Sequence, residues 1–506
     1  MAVLSALYSL FNLRRPSRVE RMRKKPGIVQ KEQLSCLLDE AADTEWGKKY
    51  DFSSIKTIAE FQKRVPISTY NDLKPYIKRM VKGERDVLWK GSVKWFAKSS
   101  GTTSDKSKFI PVSKDALNTC HLQGGKDVIF FFSNNMPESK VFSGKMLTLG
   151  GSHQVSEYNA ESRVGDLSSI YLENVPFVAE LFRTPPTEIA LIEDFEEKLK
   201  RIAEVAVKEN VTSIFGVPSW NLVLLRHILE FTGASNISEV WPNLEMFAHG
   251  GINFEPYREQ YKLLIPSERM RYIETYNASE GFFALQDDLN DKSMLLMLDY
   301  CIFYEFIPMS EFDKKDPTVL SIEEVEVGVN YAMLISTNSG LWRYMIGDTI
   351  KFTSTYPHKI LITGRTTQFI NAFGEEVIIN NTNAAVQQAC DQTGAHITDY
   401  SAAPIFMTQK RVKGRHQWMI EFDIMPDDMD NFAELLDKAL QQQNSDYEAK
   451  RFHSVTLNRL EIIVAKKGLF HQWMKERGKL GGQHKVPRLA NHRRYIESMI
   501  KLNNEL

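Results

Sequence analysis

A run of small hydroxylated residues between two apolar, strand-like segments is the part of this chain best suited to chemistry. The run consists of Ser99, Ser100, Gly101, Thr102 and Thr103. Residues this small cannot build a core, but their hydroxyls and backbone N–H groups can hydrogen-bond phosphate oxygens, and Lys108 adds positive charge nearby. The Walker A spacing is absent, which argues against a P-loop nucleotidase. The run therefore predicts a phosphate-binding loop; judged alone, it could also be a solvated turn.

Two later segments end in carboxylates after strand-like runs. Glu280 closes a segment that begins at Tyr276, and Asp348 closes one that begins at Tyr344. Loops at the carboxyl ends of strands are where open α/β sheets bind ligands. Glu280 could coordinate a Mg²⁺ ion that bridges triphosphate oxygens, and Asp348 could accept hydrogen bonds from ribose hydroxyls. Judged alone, each carboxylate is more often a surface charge.

In this order, the three segments resemble the motifs of the Gretchen Hagen (auxin-responsive) acyl acid amido synthetases, a family of the adenylate-forming ANL superfamily. The family patterns S-S-G-T-[ST]-x-G, Y-x-[AS]-S-E and Y-R-V-G-D fall at 99–105, 276–280 and 344–348. Further similar segments extend the resemblance to residue 487. Two departures stand out, because Ser104 and Asp105 replace the first motif's last glycine and Met345 replaces the third motif's arginine. The chain is also shorter than the plant enzymes, which fits a compact bacterial-type member.

The resemblance implies ATP and Mg²⁺ as cofactors and assigns roles to individual residues. Beyond the five loop residues, the implied nucleotide-binding set is Lys108, Gly250, Gly251, Tyr276, Ala278, Ser279, Glu280, Tyr344, Asp348 and Arg365. Glu280 is both the implied metal ligand and a catalytic residue, and His249 is the candidate contact for the acyl carboxylate. A histidine in this place could instead be satisfied by local hydrogen bonds. Paired glycines would let the backbone pass close to a flat base.

The pattern of apolar runs predicts an α/β fold. Residues up to 90 form a mostly helical lead-in, and strand–helix alternation over 91–364 predicts a mainly parallel, layered sheet. The resemblance places a boundary at Arg365, giving an adenylate-forming domain over 1–365 and a smaller, mobile α+β lid over 366–506. In the lid, a glycine-rich basic segment makes Lys485 the implied adenylation lysine, with Lys479 as the next candidate and a solvated loop as the alternative.

The implied reaction has two half-reactions. A carboxylate attacks the α-phosphorus of ATP to give acyl-AMP and pyrophosphate, and an amine, most simply an amino acid, then displaces AMP. Lys485 would offset the charge that builds on the α-phosphate and the attacking carboxylate. Two other readings remain open. One is an acyl-CoA ligase that uses the CoA thiol as acceptor, and the other is a catalytically inactive nucleotide-binding regulatory protein.

Composition fits a cytoplasmic enzyme, and the partners that the resemblance implies are small carboxylic acids and amines. The net charge of −1 argues against broad nucleic-acid binding, and four separated cysteines without a CxxC pair fit reduced thiols. No apolar run reaches the ~20 residues of a spanning helix. A basic stretch over 14–25 predicts an N-terminal helix docked on the main domain, with a membrane-surface helix as the alternative. We expect a monomer or a weak dimer.

Overall fold

The computed structural model describes most of the chain from residue 14 onward. The described residues are 14–100, 107–151, 156–251, 254, 257–312, 314–366, 369–375, 377–408, 413–452, 456–477 and 486–506.

Residues 14–90 form the expected helical lead-in. Its helices are Arg15–Lys24, Pro26–Ala41, Glu45–Lys49, Ile58–Arg64 and Tyr70–Val81, with a short 3₁₀ turn over Phe52–Ser54. A reciprocal capping box explains one start, because Thr57 and Glu60 exchange hydrogen bonds. At another start, the Asp72 carboxylate accepts hydrogen bonds from the N–H and hydroxyl of Thr69. The basic helix Arg15–Lys24 is docked on the rest of the molecule through Arg15, which is 6% exposed and forms an ion pair with Asp127.

Twenty strands follow within the described residues. They are β1 Trp95–Ser100, β2 Ser107–Val112, β3 Lys145–Thr148, β4 Ser156–Glu157, β5 Arg163–Gly165, β6 Arg183–Thr184, β7 Val211–Gly216, β8 Met246–Gly250, β9 Arg271–Ala278, β10 Gly281–Leu285, β11 Met294–Leu296, β12 Ile302–Pro308, β13 Asn330–Thr337, β14 Tyr344–Thr355, β15 His358–Arg365, β16 Phe369–Ile370, β17 Val377–Ile378, β18 His396–Ile405, β19 Arg415–Ile424 and β20 Glu461–Ala465.

The helices among these strands fall into two groups. Between β2 and β9 they are Lys114–Ala116, Leu122–Asn135, Leu167–Asn174, Phe177–Glu180, Thr187–Ala190, Phe195–Ala206, Pro218–Thr232, Ile237–Val240 and Arg258–Leu264, with a π-helical turn over Leu117–His121 and a 3₁₀ turn over Val141–Ser143. After β17 they are Ile379–Thr393, Met429–Gln443, Ser445–Arg451, Leu469–Glu476 and Arg494–Glu505.

The main sheet has eleven strands in the order β12-β13-β14-β15-β11-β10-β9-β8-β7-β3-β6. The half formed by β9, β8, β7, β3 and β6 is parallel, as strand–helix alternation predicts. The other half is antiparallel, so the expectation of a mainly parallel sheet holds for only part of it. The change occurs at β9, because only Ser279 and Glu280 separate it from β10, and so short a connection joins antiparallel neighbours.

The chain after β15 has α+β architecture. It contains the small pair β16–β17 and the sheet β18-β19-β20, with helices against them. This part contacts the preceding one through buried hydrogen bonds, for example from the Tyr257 hydroxyl to the Ala372 carbonyl at 2.6 Å. A helix long and apolar enough to cross a membrane is absent from the described part of the chain.

Candidate active site

One large cavity lies at the carboxyl ends of the parallel strands and is closed on one side by the C-terminal part of the chain. Its volume is about 1690 Å³. The helix Ser445–Arg451 contributes Asp446 and Lys450, and the stretch 489–495 contributes further lining. Nine residues predicted from the sequence line this cavity: Lys108, His249, Gly250, Gly251, Tyr276, Ala278, Ser279, Glu280 and Asp348. The fold therefore brings together residues that lie up to 240 positions apart in the sequence, from 108 to 348.

The turn between β9 and β10 presents Glu280 to the cavity. Ser279 and Glu280 form its two-residue tip, and Ala278 and Gly281 pair across its base. One carboxylate beside a triphosphate is enough for a Mg²⁺ ion, which keeps several waters and takes its other ligands from phosphate oxygens. The residues present therefore fit a nucleotide-bound magnesium ion. A preformed cage is absent from the described residues, among which no three His, Cys, Asp or Glu side chains cluster as metal ligands.

Asp348 is positioned by a tyrosine from a distant strand. The Tyr276 hydroxyl donates to Asp348 Oδ2 at 2.5 Å, and both residues are less than 9% exposed. Asp348 also pairs with Arg365 in the β14–β15 register, so the backbone brings these two predicted ribose contacts side by side. A buried carboxylate with a fixed orientation at a cavity wall is suited to accept hydrogen bonds from sugar hydroxyls.

The end of β8 brings backbone close to the cavity. A Cβ atom on Gly250 would lie 2.5 Å from the Thr275 carbonyl oxygen, and Gly251 has φ +81°, so both positions favour glycine. The neighbouring His249 is 3% exposed and stacks on Phe254 with ring centroids 4.0 Å apart. This aromatic packing fixes the imidazole at the cavity wall, and its contact with an acyl carboxylate stays a prediction.

Some predicted residues lie outside the described structure. They are Gly101, Thr102, Thr103, Lys479 and Lys485. The backbones of Ser99, Ser100 and Arg365 are described but their side chains are not. Ser99 pairs with Lys108 across the antiparallel strands β1 and β2, so Ser99 and Ser100 of the predicted phosphate loop are the last residues of β1. Lys108 Nζ lies 5.7 Å from the centre of the Tyr70 ring.

Tyr344 of the third motif and Arg343, which directly precedes the motif, are buried away from the cavity. Tyr344 is 1% exposed, packs in the hydrophobic core and is not among the described residues lining the cavity. Its neighbour Arg343 forms a buried ion pair with Glu305, at 2.9 Å from Nε, and also donates to the Val65 carbonyl. Arg343 is therefore used in the core and does not replace the motif arginine that Met345 displaces.

Family models of protein domains cover nearly all of this architecture. The GH3 family N-terminal domain matches residues 15–270, the central domain residues 295–365 and the C-terminal domain residues 380–494. The chain belongs to the GH3 family. The acyl acid amido synthetase resemblance of its motifs is thereby confirmed at the level of the family.

Individual relatives align with this GH3 protein over almost its full length. It is 23% identical to indole-3-acetic acid-amido synthetase GH3.3 of Arabidopsis thaliana, covering 94% of this chain and 91% of the relative. It is 23% identical to jasmonoyl--L-amino acid synthetase JAR4 of Nicotiana attenuata, covering 93% and 92%. Among solved structures, GH3.15 acyl acid amido synthetase aligns with a TM-score of 0.59 at 18% identity, covering 97% of this chain and 95% of the other, which supports the fold.

The structure of this GH3 protein also places residues at the cavity that the sequence did not single out. Lys450 is 7% exposed, and its Nζ lies 4.0 Å above the centre of the Trp220 ring. His121 belongs to the π-helical turn and is 3% exposed at the cavity wall. No local sequence signal marks Lys450 and Trp220 as a pair, because these two residues are 230 positions apart. His121 does not lie in any of the three motifs.

Proposed function

We propose that this GH3 protein is an ATP-dependent acyl acid amido synthetase that adenylates a carboxylic acid and passes the acyl group to an amino acid. The observation that carries the proposal is the convergence of Glu280, the Tyr276–Asp348 pair and the Gly250–Gly251 turn on one cavity. These residues come from three different segments of the chain, and each suits a different part of a nucleotide.

In the first half-reaction the substrate carboxylate must approach the negatively charged triphosphate of ATP. Catalysis therefore depends on positioning the two reactants and on offsetting their negative charge. Asp348 is proposed to hold the ribose and Glu280 to hold the Mg²⁺ ion, with the 99–103 loop and Lys108 at the phosphates. A magnesium ion at such a site offsets negative charge on the phosphate oxygens. Lys485 is proposed to complete this charge balance at the α-phosphate. The carboxylate oxygen then forms a bond to the α-phosphorus as pyrophosphate leaves.

In the second half-reaction the amine attacks the acyl carbon and AMP leaves with the bridging oxygen. We assign an amino acid acceptor because a relative that aligns over 92% of its own length is named a jasmonoyl--L-amino acid synthetase. We keep the division at Arg365, with residues 366–506 as a mobile lid, because side chains from both sides of that position line the cavity. Rotation of a lid would let one cavity assemble two catalytic sets. A cytoplasmic location and a monomer or weak dimer remain predictions.

The test is a screen of carboxylic acids with purified protein, Mg²⁺ and ATP. Acid-dependent formation of pyrophosphate and AMP is the expected result for at least one acid. Each active acid is then offered amino acids or CoA, and mass spectrometry identifies an amide or a thioester. Formation of ADP and phosphate would overturn adenylation, and a thioester without an amide would assign the acceptor to CoA. Pyrophosphate release with none of the acids would favour the regulatory reading.

A further inference from the structure

The first helix of the described structure, Arg15–Lys24, is fixed to the main domain by two ion pairs. Arg15 Nη2 lies 2.6 Å from Asp127 Oδ2. Arg23 Nη2 lies 2.5 Å from Asp287 Oδ2. Both carboxylates are less than 9% exposed. The two contacts set the rotation of the helix about its axis, so the side chains on its other sides are held toward solvent.

Four basic residues follow one solvent-facing side of this helix. We call them the basic stripe, and all four are exposed: Arg14, Arg18, Arg21 and Lys25. Their spacings of four, three and four place them along one side of a helix. Arg21 forms an exposed ion pair with Glu32. The other three have no ion pair among the residues that the structure describes.

The exposed carboxylates near the basic stripe are already paired. Glu20 lies 2.9 Å from Lys24 Nζ, and Glu32 is held by Arg21 of the stripe. Glu323, whose carboxylate lies against Gly27, is 3.4 Å from Lys31 Nζ. Arg14, Arg18 and Lys25 are therefore excess positive charge on this surface.

The sequence directly before the basic stripe is apolar and uncharged. Residues 1–13 lie outside the described residues and precede the region that the family model matches. They contain no charged side chain, and apart from the Tyr8 hydroxyl their polar side chains are Ser5, Ser9 and Asn12. Spacings of four and three are the pattern of one narrow polar side on an otherwise apolar helix. An apolar segment joined to a row of Lys and Arg is the composition of an element that lies in a membrane surface.

We propose that residues 1–25 bind the surface of an anionic lipid bilayer. The apolar side chains of residues 1–13 enter the boundary between headgroups and acyl chains, and the basic stripe contacts the lipid phosphates. The segment is shorter than the ~20 residues that would cross a bilayer, so it lies in the surface.

A lipid surface fits both features, whereas a nucleic acid would supply the negative charge but no hydrocarbon for the apolar segment. The inference does not depend on the proposed function, because none of the described residues 14–25 lines the cavity.

The test is sedimentation of the purified full chain with lipid vesicles. One set is phosphatidylcholine alone, and the other is an equimolar mixture of phosphatidylcholine and phosphatidylglycerol. The stripe variant removes the unpaired charge with Arg14→Gln, Arg18→Gln and Lys25→Gln. The apolar variant removes hydrocarbon with Leu7→Ser and Phe11→Ser.

A matched control removes the same number of positive charges elsewhere. Its three lysines are exposed in the C-terminal part of the chain: Lys438→Gln, Lys467→Gln and Lys501→Gln. If this variant loses vesicle binding as the stripe variant does, net charge alone is responsible and the assignment to residues 1–25 is wrong.

The wild type should bind the mixed vesicles roughly tenfold or more tightly than phosphatidylcholine alone, and added salt should weaken the binding. Each basic residue near an anionic surface strengthens binding about fivefold, so the stripe variant should bind the mixed vesicles roughly 10²-fold more weakly. The apolar variant should bind both vesicle types more weakly than the wild type does. The control variant should match the wild type.

Equal binding of the wild type to both vesicle types, binding to neither, or unchanged binding of the stripe variant would overturn the inference. Stripe-dependent binding to a DNA duplex without binding to vesicles would assign this surface to nucleic acid instead. Melting temperatures check folding, and a melting temperature well below that of the wild type in Leu7→Ser/Phe11→Ser would show that the segment packs on the protein itself, which also contradicts the inference. If the stripe variant does not fold, the wild-type comparison of the two vesicle types decides.

Discussion

The Tyr276 hydroxyl donates to Asp348 Oδ2 at 2.5 Å and joins two strands of the main sheet that are not neighbours. Three strands, β10, β11 and β15, separate β9 from β14 in the sheet order. The bond is therefore made above the sheet, at the cavity, and not within a strand pair. The bond links the second and third nucleotide motifs, so a substitution in one motif should alter the position of the side chain in the other.

Asp348→Asn should raise the KM for ATP about tenfold or more. Hydrogen bonds to a charged group are worth roughly 1.5–3 kcal/mol, and the amide both lowers acceptor strength and meets the Tyr276 hydroxyl differently. Tyr276→Phe should cause a smaller increase of the same kind, since it removes only the orienting bond. ATP titrations of pyrophosphate release measure both values. The exposed Tyr356→Phe serves as control, and an unaltered KM in Asp348→Asn would remove the ribose assignment.

Glu280→Gln should nearly abolish pyrophosphate formation without unfolding the protein. The substitution preserves size at the two-residue turn but removes the charge proposed to hold Mg²⁺, which contributes on the order of several kcal/mol of charge stabilisation in such sites. The assay is pyrophosphate release across a range of Mg²⁺ concentrations, with the melting temperature as a check on folding. The metal assignment is wrong if the variant turns over normally with every acid that the wild type uses.

Lys485→Ala should slow acyl-AMP formation by roughly 10²-fold, about 3 kcal/mol, the scale for removing one preorganised donor. It should spare the second half-reaction, because the proposed lid would have rotated away by then. Chemically prepared acyl-AMP and an amino acid allow that step to be followed alone through AMP release. Equal loss in both steps would mean that Lys485 stabilises the lid or binds the acceptor, and Lys479 would become the adenylation candidate.

His358 should make the protein less stable in weak acid. It is 3% exposed, and burial lowers its pKa to about 4 although Nε2 lies 2.8 Å from the Ile322 carbonyl oxygen. The unfolded chain, with a histidine pKa near 6.5, binds the proton first as pH falls, so this contribution is present above about pH 6.5 and is lost toward pH 4.

His358→Asn should therefore flatten the dependence of unfolding free energy on pH. Between pH 7.5 and pH 5 the wild type should lose roughly 2 kcal/mol more than the variant, from the two pKa values. Urea unfolding at both pH values measures the difference. The exposed His396→Asn should behave as the wild type does, and identical losses in His358→Asn and the wild type would show that this histidine does not drive the effect.

The sequence predicted the parts of the fold in which local patterns agree with the final structure. The apolar pattern over 219–231 predicts a helix, and that helix spans Pro218–Thr232. The apolar run over 213–215 predicts a strand, and it lies within β7. The acidic start of the segment 428–440 predicts a helix beginning at Asp428, whose side chain accepts hydrogen bonds from the first turn of Met429–Gln443. These elements could be predicted because their sequences have clear hydrophobic periodicity and helix-start signals.

The antiparallel half of the sheet could not be predicted, because the sequence of its first turn gives no hairpin signal. The turn at Ser279 and Glu280 lacks the Asn-Gly or Asp-Gly pairs that usually mark two-residue hairpins, so β9 and β10 gave no hairpin signal. The motifs located Glu280 and Asp348 at the cavity, but the Tyr276–Asp348 bond spans 72 positions and follows only from the sheet order. Arg343 directly precedes the third motif, and the fold buries it against Glu305, a contact that its position in the sequence does not indicate.

Transfer of labelled oxygen tests the central claim most directly. An active acid labelled with ¹⁸O in both carboxylate oxygens is incubated with ATP, Mg²⁺ and the accepted amino acid, and the products are analysed by mass spectrometry. Attack on the α-phosphorus followed by amide formation predicts one ¹⁸O in AMP and one in the amide. Label in inorganic phosphate, or unlabelled AMP beside a labelled amide, would contradict an acyl-adenylate intermediate.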